Sequence, residues 1–175
     1  NVRVIDLSAD FRLRSPQLYS QTYGREHLHP QKTIDAIYGL TEFARDELKK
    51  LPPIIACPGC YPTATLLALK PLLAAGVISP EDIIIDAKSG VSGAGRSLKQ
   101  SNLYCEIAES MYAYGVGKHR HAPEIEQELG FAAGKDMIVN FTPHLIPMTR
   151  GEYVTSHVKM ANGANIDDLR NALLT

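Results

Sequence analysis

The hydrophobic residues occur in short runs that alternate with amphipathic stretches. Five runs are apolar and rich in β-branched residues, which predicts strands; they span residues 2–6, 54–56, 83–87, 137–142 and 152–160. Six stretches carry helical patterning or helix-start signals: 15–23, 41–50, 62–75, 100–110, 124–129 and one that begins after Asn165. A short strand is also predicted over 112–116, whereas 143–147, with a proline at each end, cannot pair throughout. The chain is therefore predicted to mix helices and strands.

Residues 54–63 join a predicted strand to a predicted helix through a turn that contains Cys60. Pro58 and Gly59 end the apolar run, and Pro62 suits the first helical position. A thiol at this place faces free backbone N–H groups and the positive end of the helix dipole, which favour thiolate. A small buried hydrophobe is the commoner role of a cysteine, but the Pro/Gly turn favours a nucleophile. We therefore predict that Cys60 is a nucleophile.

A nucleophilic cysteine needs a base and groups that hold its substrate. His121 lies just before a helix started by Pro123, whose dipole disfavours imidazolium, so His121 is the predicted acid/base. His119 is the alternate, and a solvated loop position is the other interpretation of both histidines. Arg120 and Arg12 are candidates for binding an anion, with plain surface charge as the alternative for Arg120.

The loop 88–96 is the most glycine-rich in the chain. Successive backbone N–H groups without bulky side chains suit the close approach of a phosphate or a flat cofactor ring. The glycine spacing does not match the dinucleotide fingerprint, and a flexible turn is the alternative. The candidate cofactor-binding residues are Ser89, Gly90, Ser92, Gly93, Ala94 and Gly95.

Composition argues against several classes of protein: nucleic-acid-binding, membrane-spanning and disulfide-rich. The 175 residues carry a net charge of −1, with 45% hydrophobic and 21% charged residues, so nothing indicates nucleic-acid binding. No apolar run approaches the roughly 20 residues of a membrane helix. Three cysteines do not suggest a disulfide framework, which predicts a reducing cytoplasmic location. The chain opens without Met and closes inside a helical pattern, so we expect a piece of a longer protein.

Two other kinds of site use the same cysteines. Cys57 and Cys60 with His119 and His121 offer the ligand types of a zinc site, although the histidines are separated by one residue rather than three to five. Cys57 and Cys60 also form a C-x-x-C pair, as in thioredoxin-like redox centres. The attacking cysteine of those centres comes first, whereas here the helix-start cysteine comes second. Both alternatives are less favoured, and no metal is predicted.

Six stretches, taken in order, carry a family resemblance: residues 4–12, 38–40, 57–63, 88–96 (KSGVSGAGR), 117–127 (GKHRHAPEIEQ) and 141–145. Together they resemble N-acetyl-γ-glutamyl-phosphate reductase of arginine biosynthesis. The family belongs to a wider group with aspartate-semialdehyde dehydrogenase and glyceraldehyde-3-phosphate dehydrogenase. One departure is Cys57, where the family usually carries Asn or a small apolar residue.

The resemblance implies an α+β fold like the catalytic domain of glyceraldehyde-3-phosphate dehydrogenase, a mixed sheet layered with helices. Residues 1–14 would end an NADP-binding domain, and 15–175 would form an incomplete catalytic domain. The implied reaction is NADPH-dependent reduction of N-acetyl-γ-glutamyl phosphate through a Cys60 thioester, with His121 as acid/base and Arg12, Arg120 and His119 at the substrate. An aspartate-semialdehyde-dehydrogenase-like reductase is the alternative. A homo-oligomer, dimer or tetramer, is expected, with a small-molecule substrate and no nucleic acid or membrane partner.

Overall fold

The computed structural model describes residues 2–174, and within them the strands form two sheets. The first sheet is parallel, in the order β1-β3-β2, with bounds Val4–Asp6 for β1, Ala36–Tyr38 for β2 and Ile54–Ala56 for β3. The second is mixed, in the order β5-β6-β4-β7. Its strands are β4 (Ile84–Ser89), β5 (Tyr112–Ala113), β6 (Asn140–Leu145) and β7 (Glu152–His157). In this sheet β6 runs parallel to β4, whereas β7 is antiparallel to it.

Helices follow or connect the strands. Their bounds are α1 Pro16–Tyr23, α2 Thr41–Lys49, α3 Cys60–Ala74, α4 Tyr104–Ile107, α5 Ala122–Ala133 and α6 Ile166–Leu174. The Ser15 hydroxyl caps α1 by accepting the Leu18 N–H, as the sequence predicted. No helix within residues 2–174 is long and apolar enough to cross a membrane.

The main core lies between one face of the second sheet and helices α3, α5 and α6. The α3 side chains Leu66 and Leu69 meet Ile85 of β4 and Ile125 of α5 in one buried cluster. The alternate β4 residues Ile84, Asp86 and Lys88 are more exposed, so the opposite face of the sheet is open. A mixed sheet layered with helices on one side confirms the predicted α+β class.

Some predicted elements have different bounds. The segment 100–110 is not one helix, because the extended backbone of Leu103 separates a 3-10 turn from the short α4. Helix α5 passes Gly130 and ends at Gly134, which takes the left-handed conformation. Strand β6 includes Pro143, which lacks an N–H but whose carbonyl accepts the Tyr114 N–H at 3.0 Å.

The proposed boundary at residue 14 remains a prediction. The structure adds that β1 pairs with β3 in parallel, residue by residue from Val4 with Ile54 to Asp6 with Ala56. The sheet that contains β1 therefore includes residue 56, and the turn that follows this residue leads to Cys60.

Candidate active site

Cys60 is the first residue of α3 and follows directly after the turn that ends β3. Gly59 is the N-cap residue, and its carbonyl accepts the N–H and the hydroxyl of Thr63, each at 2.9 Å. The helix begins two residues before the predicted Pro62, whose missing N–H costs no hydrogen bond in the first turn. The backbone N–H groups of Cys60 and Tyr61 lie at this helix start and act to lower the pKa of the thiol.

Cys60 opens into a cavity of about 620 Å³. The walls combine the start of α3, the end of β4 with its following loop, and the segment 114–121. The structure thus brings together Cys60, both predicted histidines, Arg120 and part of the glycine-rich loop. Two cavity-lining cations, Lys99 and Lys118, were not singled out in the sequence, and with Arg120 they make the lining basic. This arrangement suits an anionic ligand beside a thiol.

The carboxyl group of Glu152, the first residue of β7, influences the ionisation of the Cys60 thiol. Cys60 as a whole residue is exposed, yet the surrounding walls desolvate its sulfur. Desolvation, followed by the Glu152 carboxyl group, raises the pKa of Cys60 to about 11, against the lowering effect of the backbone N–H groups. The predicted thiolate is therefore wrong for this state of the protein, because the helix-start effect is present but outweighed.

His121 and His119 are both held neutral by burial. Burial lowers the pKa of His121 to about 3, and His119, Arg120 and Arg12 add to the effect. Burial also lowers the pKa of His119 to about 4, with Arg120 adding to it. His119 Nδ1 accepts the backbone N–H of His121 at 3.1 Å, which leaves the proton of the neutral ring on Nε2. The neutral state predicted for His121 agrees with its lowered pKa, but burial rather than a helix dipole is the main cause.

The position of His121 depends on the absence of a side chain at Gly59. A Cβ on Gly59 would lie 2.6 Å from Nε2 of His121 and 3.0 Å from Nη1 of Arg12. Among the described residues, Nδ1 of His121 is buried without a hydrogen-bond partner. The ring therefore packs against the backbone that precedes the nucleophile.

Glu124 connects the start of α5 to the turn before Cys60. Its side chain is fully buried, and Oε1 accepts the Gly59 N–H and the Tyr38 hydroxyl, each at 2.8 Å. Oε2 lies 3.5 Å from Nη1 of Arg12. Burial raises the pKa of Glu124, opposed by its Gly59, Arg12 and Tyr38 partners. Because Glu124 comes three residues after His121 in the first turn of α5, it fixes the histidine's helix relative to the nucleophile's turn.

Arg12, predicted as a substrate ligand, is buried and makes its polar contacts with other residues of the protein. Its Nε donates to the Cys57 carbonyl at 2.8 Å and its Nη2 to the Leu7 carbonyl at 3.3 Å, besides the ion pair with Glu124. The residue is 9% exposed and is not part of the cavity lining. In this structure Arg12 holds the turn before Cys60, whereas Arg120 faces the cavity.

The glycine-rich loop folds into a 3-10 turn, Val91–Ala94, that packs against segment 148–151. The N–H groups of residues 90–92 donate to carbonyls of that segment, and those of 93 and 95 donate within the loop. These five N–H groups, predicted to suit the approach of a phosphate, are therefore already bonded within the protein. A Cβ on Gly90 would meet the Arg150 backbone at 2.7 Å, so glycine permits this close approach.

The predicted cofactor-binding residues divide between two places. Ser89, Gly93, Ala94 and Gly95 line the cavity beside Cys60, whereas Gly90 and Ser92 are not part of that wall. Gly93 leaves room next to Ser89, because a Cβ there would come within 2.5 Å of its Oγ. This wall is built of small residues, which leave room for a planar ring.

The alternatives that use Cys57 find little support. Cys57 is half-buried, and Cys57 and Cys60 are both free thiols. Among residues 2–174, no three His, Cys, Asp or Glu side chains lie in an arrangement that could hold a metal ion. The zinc alternative therefore lacks a ligand set in the described part of the chain.

No pattern in the sequence singled out Glu152 or Glu124. Glu152 begins a strand far along the chain and reaches Cys60 only because β7 pairs with β4 at Ser89. Glu124 follows Pro123 at a helix start, where an acidic residue is ordinarily a surface feature that complements the dipole. Only the tertiary structure shows that both carboxyl groups converge on the nucleophile's turn.

Comparison with known proteins first defines the class of protein. The fold is similar to aspartate semialdehyde dehydrogenase II from Vibrio cholerae, with a TM-score of 0.68 at 18% identity over 97% of this chain and 52% of that one. Aspartate semialdehyde dehydrogenase with NADP from Candida albicans has a TM-score of 0.54 at 14% identity, over 97% of this chain and 48% of that one. Residues 60–175 match the family model described as the semialdehyde dehydrogenase dimerisation domain. The chain therefore belongs to the semialdehyde dehydrogenase family.

Within this class the chain is similar to N-acetyl-gamma-glutamyl-phosphate reductases. The one from Lachnospira eligens is 53% identical over 97% of this chain and 49% of the relative. The probable chloroplastic enzyme of Arabidopsis thaliana is 52% identical over 99% of this chain and 43% of the relative. These relatives confirm the resemblance found in the sequence, and the chain spans about half the length of the curated relatives it matches.

Proposed function

We propose that the protein containing this chain reduces N-acetyl-γ-glutamyl phosphate to N-acetylglutamate semialdehyde with NADPH, releasing phosphate. The observation that carries the proposal is the basic cavity in which Cys60 opens beside two neutral histidines and a wall of small residues. The similarity to reductases of that name supports the choice of substrate.

In the proposed reaction Cys60 attacks the acyl carbon and phosphate leaves, which forms a thioester on the sulfur. Arg120, with Lys118 and Lys99 at the same cavity, would hold the anionic groups of the substrate. His121 is the proposed acid/base that handles the proton on the acyl oxygen as the reduced intermediate collapses. His119 positions His121 through the hydrogen bond to its backbone.

The wall formed by Ser89, Gly93, Ala94 and Gly95 would hold the nicotinamide end of the cofactor. Small side chains and the space left by Gly93 fit a flat ring facing Cys60. When bound, NADPH supplies the hydride that reduces the thioester. The remainder of the cofactor would be held mainly by residues outside this chain, since the glycine spacing at 90–95 does not fit a dinucleotide fingerprint.

The test is NADPH oxidation, measured by absorbance, with the protein at the full length of its curated relatives. We expect oxidation with N-acetyl-γ-glutamyl phosphate and little with aspartyl phosphate, the substrate of the alternative reaction. A Cys60→Ser variant should lose turnover, while Cys105→Ser, at an exposed cysteine outside the cavity, should not. Preference for aspartyl phosphate, or full activity of Cys60→Ser, would contradict the proposal.

We further propose that two copies associate through the open face of the second sheet. The family model is described as a dimerisation domain, and the face presents exposed apolar residues such as Ile84 and Tyr153. A dimer should appear in analytical ultracentrifugation and weaken in Tyr153→Glu. A cytoplasmic location remains a prediction.

A further inference from the structure

We propose that the hydroxyl of Tyr114 determines substrate specificity by donating a hydrogen bond to the carbonyl oxygen of the substrate's N-acetyl group, with Tyr61 as its supporting partner. This inference rests on the proposed function, because it assigns the neutral part of N-acetyl-γ-glutamyl phosphate to a place in the cavity beside Cys60. It concerns recognition of the substrate and leaves the chemical steps at Cys60 unchanged.

Tyr114 and Tyr61 bring two phenol hydroxyls together at the cavity. Both residues line the cavity into which Cys60 opens, and their hydroxyl oxygens lie 3.0 Å apart. Tyr61 directly follows the nucleophile in the first turn of α3 and is 2% exposed. Tyr114 directly follows β5, and its N–H donates to the Pro143 carbonyl at 3.0 Å. The pair is therefore held from two sides, by α3 and by the second sheet.

The rings of the two tyrosines pack against other aromatic side chains of the site. His119 contacts both edge-to-face, with its ring centroid 5.7 Å from that of Tyr61 and 5.4 Å from that of Tyr114. Phe141 of β6 contacts Tyr61 in the same way at 5.4 Å. Gly115 permits the close approach of His119, because a Cβ at this position would lie 3.1 Å from the imidazole ring. The hydroxyls are thus positioned before any substrate binds, which favours selective binding.

The pair has one hydroxyl proton available for a ligand. One of its two protons lies between the two oxygens, and Tyr61 can also donate to the His144 carbonyl, at the long distance of 3.4 Å. Among residues 2–174, the Tyr114 hydroxyl has no hydrogen-bond partner other than Tyr61. When Tyr61 donates to Tyr114, the Tyr114 proton is free for a ligand, and only the long contact is lost. Burial raises the pKa of both phenols, so both remain proton donors.

The charged groups of the cavity are suited to other parts of the substrate. The phosphate and the α-carboxylate are anions, which match the basic side chains of Lys99, Lys118 and Arg120 in the lining. The acetamide is neutral, and its carbonyl oxygen requires a neutral donor when it leaves water. The same basic lining disfavours an ammonium group, so the cavity suits an N-acylated substrate better than a free amine.

Among the neutral donors of the lining, Tyr114 is the best placed. The Ser89 hydroxyl already donates to the Gly90 carbonyl at 3.0 Å, and Ser97 is exposed to solvent. The two histidines have the separate roles proposed above. Tyr114 is half-buried and is supported by a second hydroxyl, so it offers a desolvated donor to the acetamide.

The experiment compares two substrates, with the protein at the full length of its curated relatives. N-acetyl-γ-glutamyl phosphate carries the acetamide, whereas glutaryl phosphate has the same carbon chain and both anionic groups without it. In Tyr114→Phe we expect kcat/KM for the N-acetyl substrate to fall about 5- to 50-fold, mainly through KM. The fall with glutaryl phosphate should be at least about fivefold smaller, because this substrate has no acetamide contact to lose. The preference for the N-acetyl substrate should therefore shrink.

Two other tyrosine variants complete the comparison. Tyr112→Phe is the matched control, because it removes a hydroxyl that donates to the Ser101 carbonyl at 3.0 Å and is not part of the cavity lining. This variant should keep the wild-type preference. Tyr61→Phe should lower the preference less than Tyr114→Phe, since it removes the supporting partner but not the donor.

Three results would overturn the proposal. Wild type that uses both substrates equally well would show that the acetamide is not recognised. Equal losses of kcat/KM for both substrates in Tyr114→Phe would show that its hydroxyl only maintains the shape of the cavity. A greater loss of preference in Tyr61→Phe than in Tyr114→Phe would assign the contact to Tyr61. The proposed function is judged separately, by whether wild type oxidises NADPH with N-acetyl-γ-glutamyl phosphate at all.

Discussion

Burial of the neutral His121 ring should make folding stability depend steeply on pH. Its pKa is lowered from 6.5 to about 3. Between these two pH values the His121 side chain is therefore protonated in the unfolded chain but neutral in the folded chain. The associated stability is fully present above pH 6.5 and is lost as the pH falls towards 3. Between about pH 8 and about pH 5 this loss amounts to about 2 kcal/mol for His121 alone. His119 acts in the same direction, but it is less buried and solvent screens it, so its share is smaller.

The assay is urea unfolding of the 175-residue chain by circular dichroism at several pH values, comparing wild type with His121→Asn. The variant should be less stable at pH 8 but should lose about 2 kcal/mol less than wild type on acidification to about pH 5. Carboxyl groups whose pKa is raised, such as Glu126 and Glu152, act in the opposite sense in both proteins, so they cancel in the comparison. His29→Asn, which removes an exposed imidazole, is the matched control and should keep the wild-type slope. Equal slopes for His121→Asn and wild type would refute the reasoning.

Two further substitutions test the turn before the nucleophile. Gly59→Ala is compatible with the backbone angle of −66°, but its Cβ would lie 2.6 Å from His121 Nε2, so we expect kcat to fall about 100-fold at unchanged fold by circular dichroism. An unchanged kcat would contradict this contact. Glu124→Gln places an amide where Oε2 faces Arg12, which leaves a buried guanidinium without its counter-charge and should cost about 3–5 kcal/mol in urea unfolding. A loss below about 1 kcal/mol would show that the pair is not needed.

Local features of the site could be predicted because short-range rules fix them. The strand, the Pro58–Gly59 turn and the following helix are adjacent in sequence, so Cys60 could be placed at a helix start without knowing the fold. The start itself lies two residues earlier than Pro62 suggested, because proline is tolerated throughout the first turn. The mixed sheet layered with helices was likewise predictable from the resemblance, and the structure confirms it.

The ionisation of the site could not be predicted in the same way. A helix start lowers a thiol pKa, and the two N–H groups at Cys60 do act in that sense. Desolvation and Glu152 outweigh them, and Glu152 comes from a strand whose register with β4 is a tertiary property. The sequence likewise could not show that the N–H groups of residues 90–92 are bonded, because their acceptors come from the distant segment 148–151.

The same tertiary contacts explain why the His121 ring faces the backbone of the nucleophile's turn. His121 precedes the first turn of α5, and Glu124 in that turn accepts the Gly59 N–H, so the imidazole is held against the backbone before Cys60. A buried neutral imidazole placed there is suited to a proton on the acyl oxygen, which is exchanged after the thioester has been reduced. We therefore expect His121→Asn to spare phosphate release without NADPH and to slow only the reduction that follows. Equal slowing of both steps would contradict this order of events.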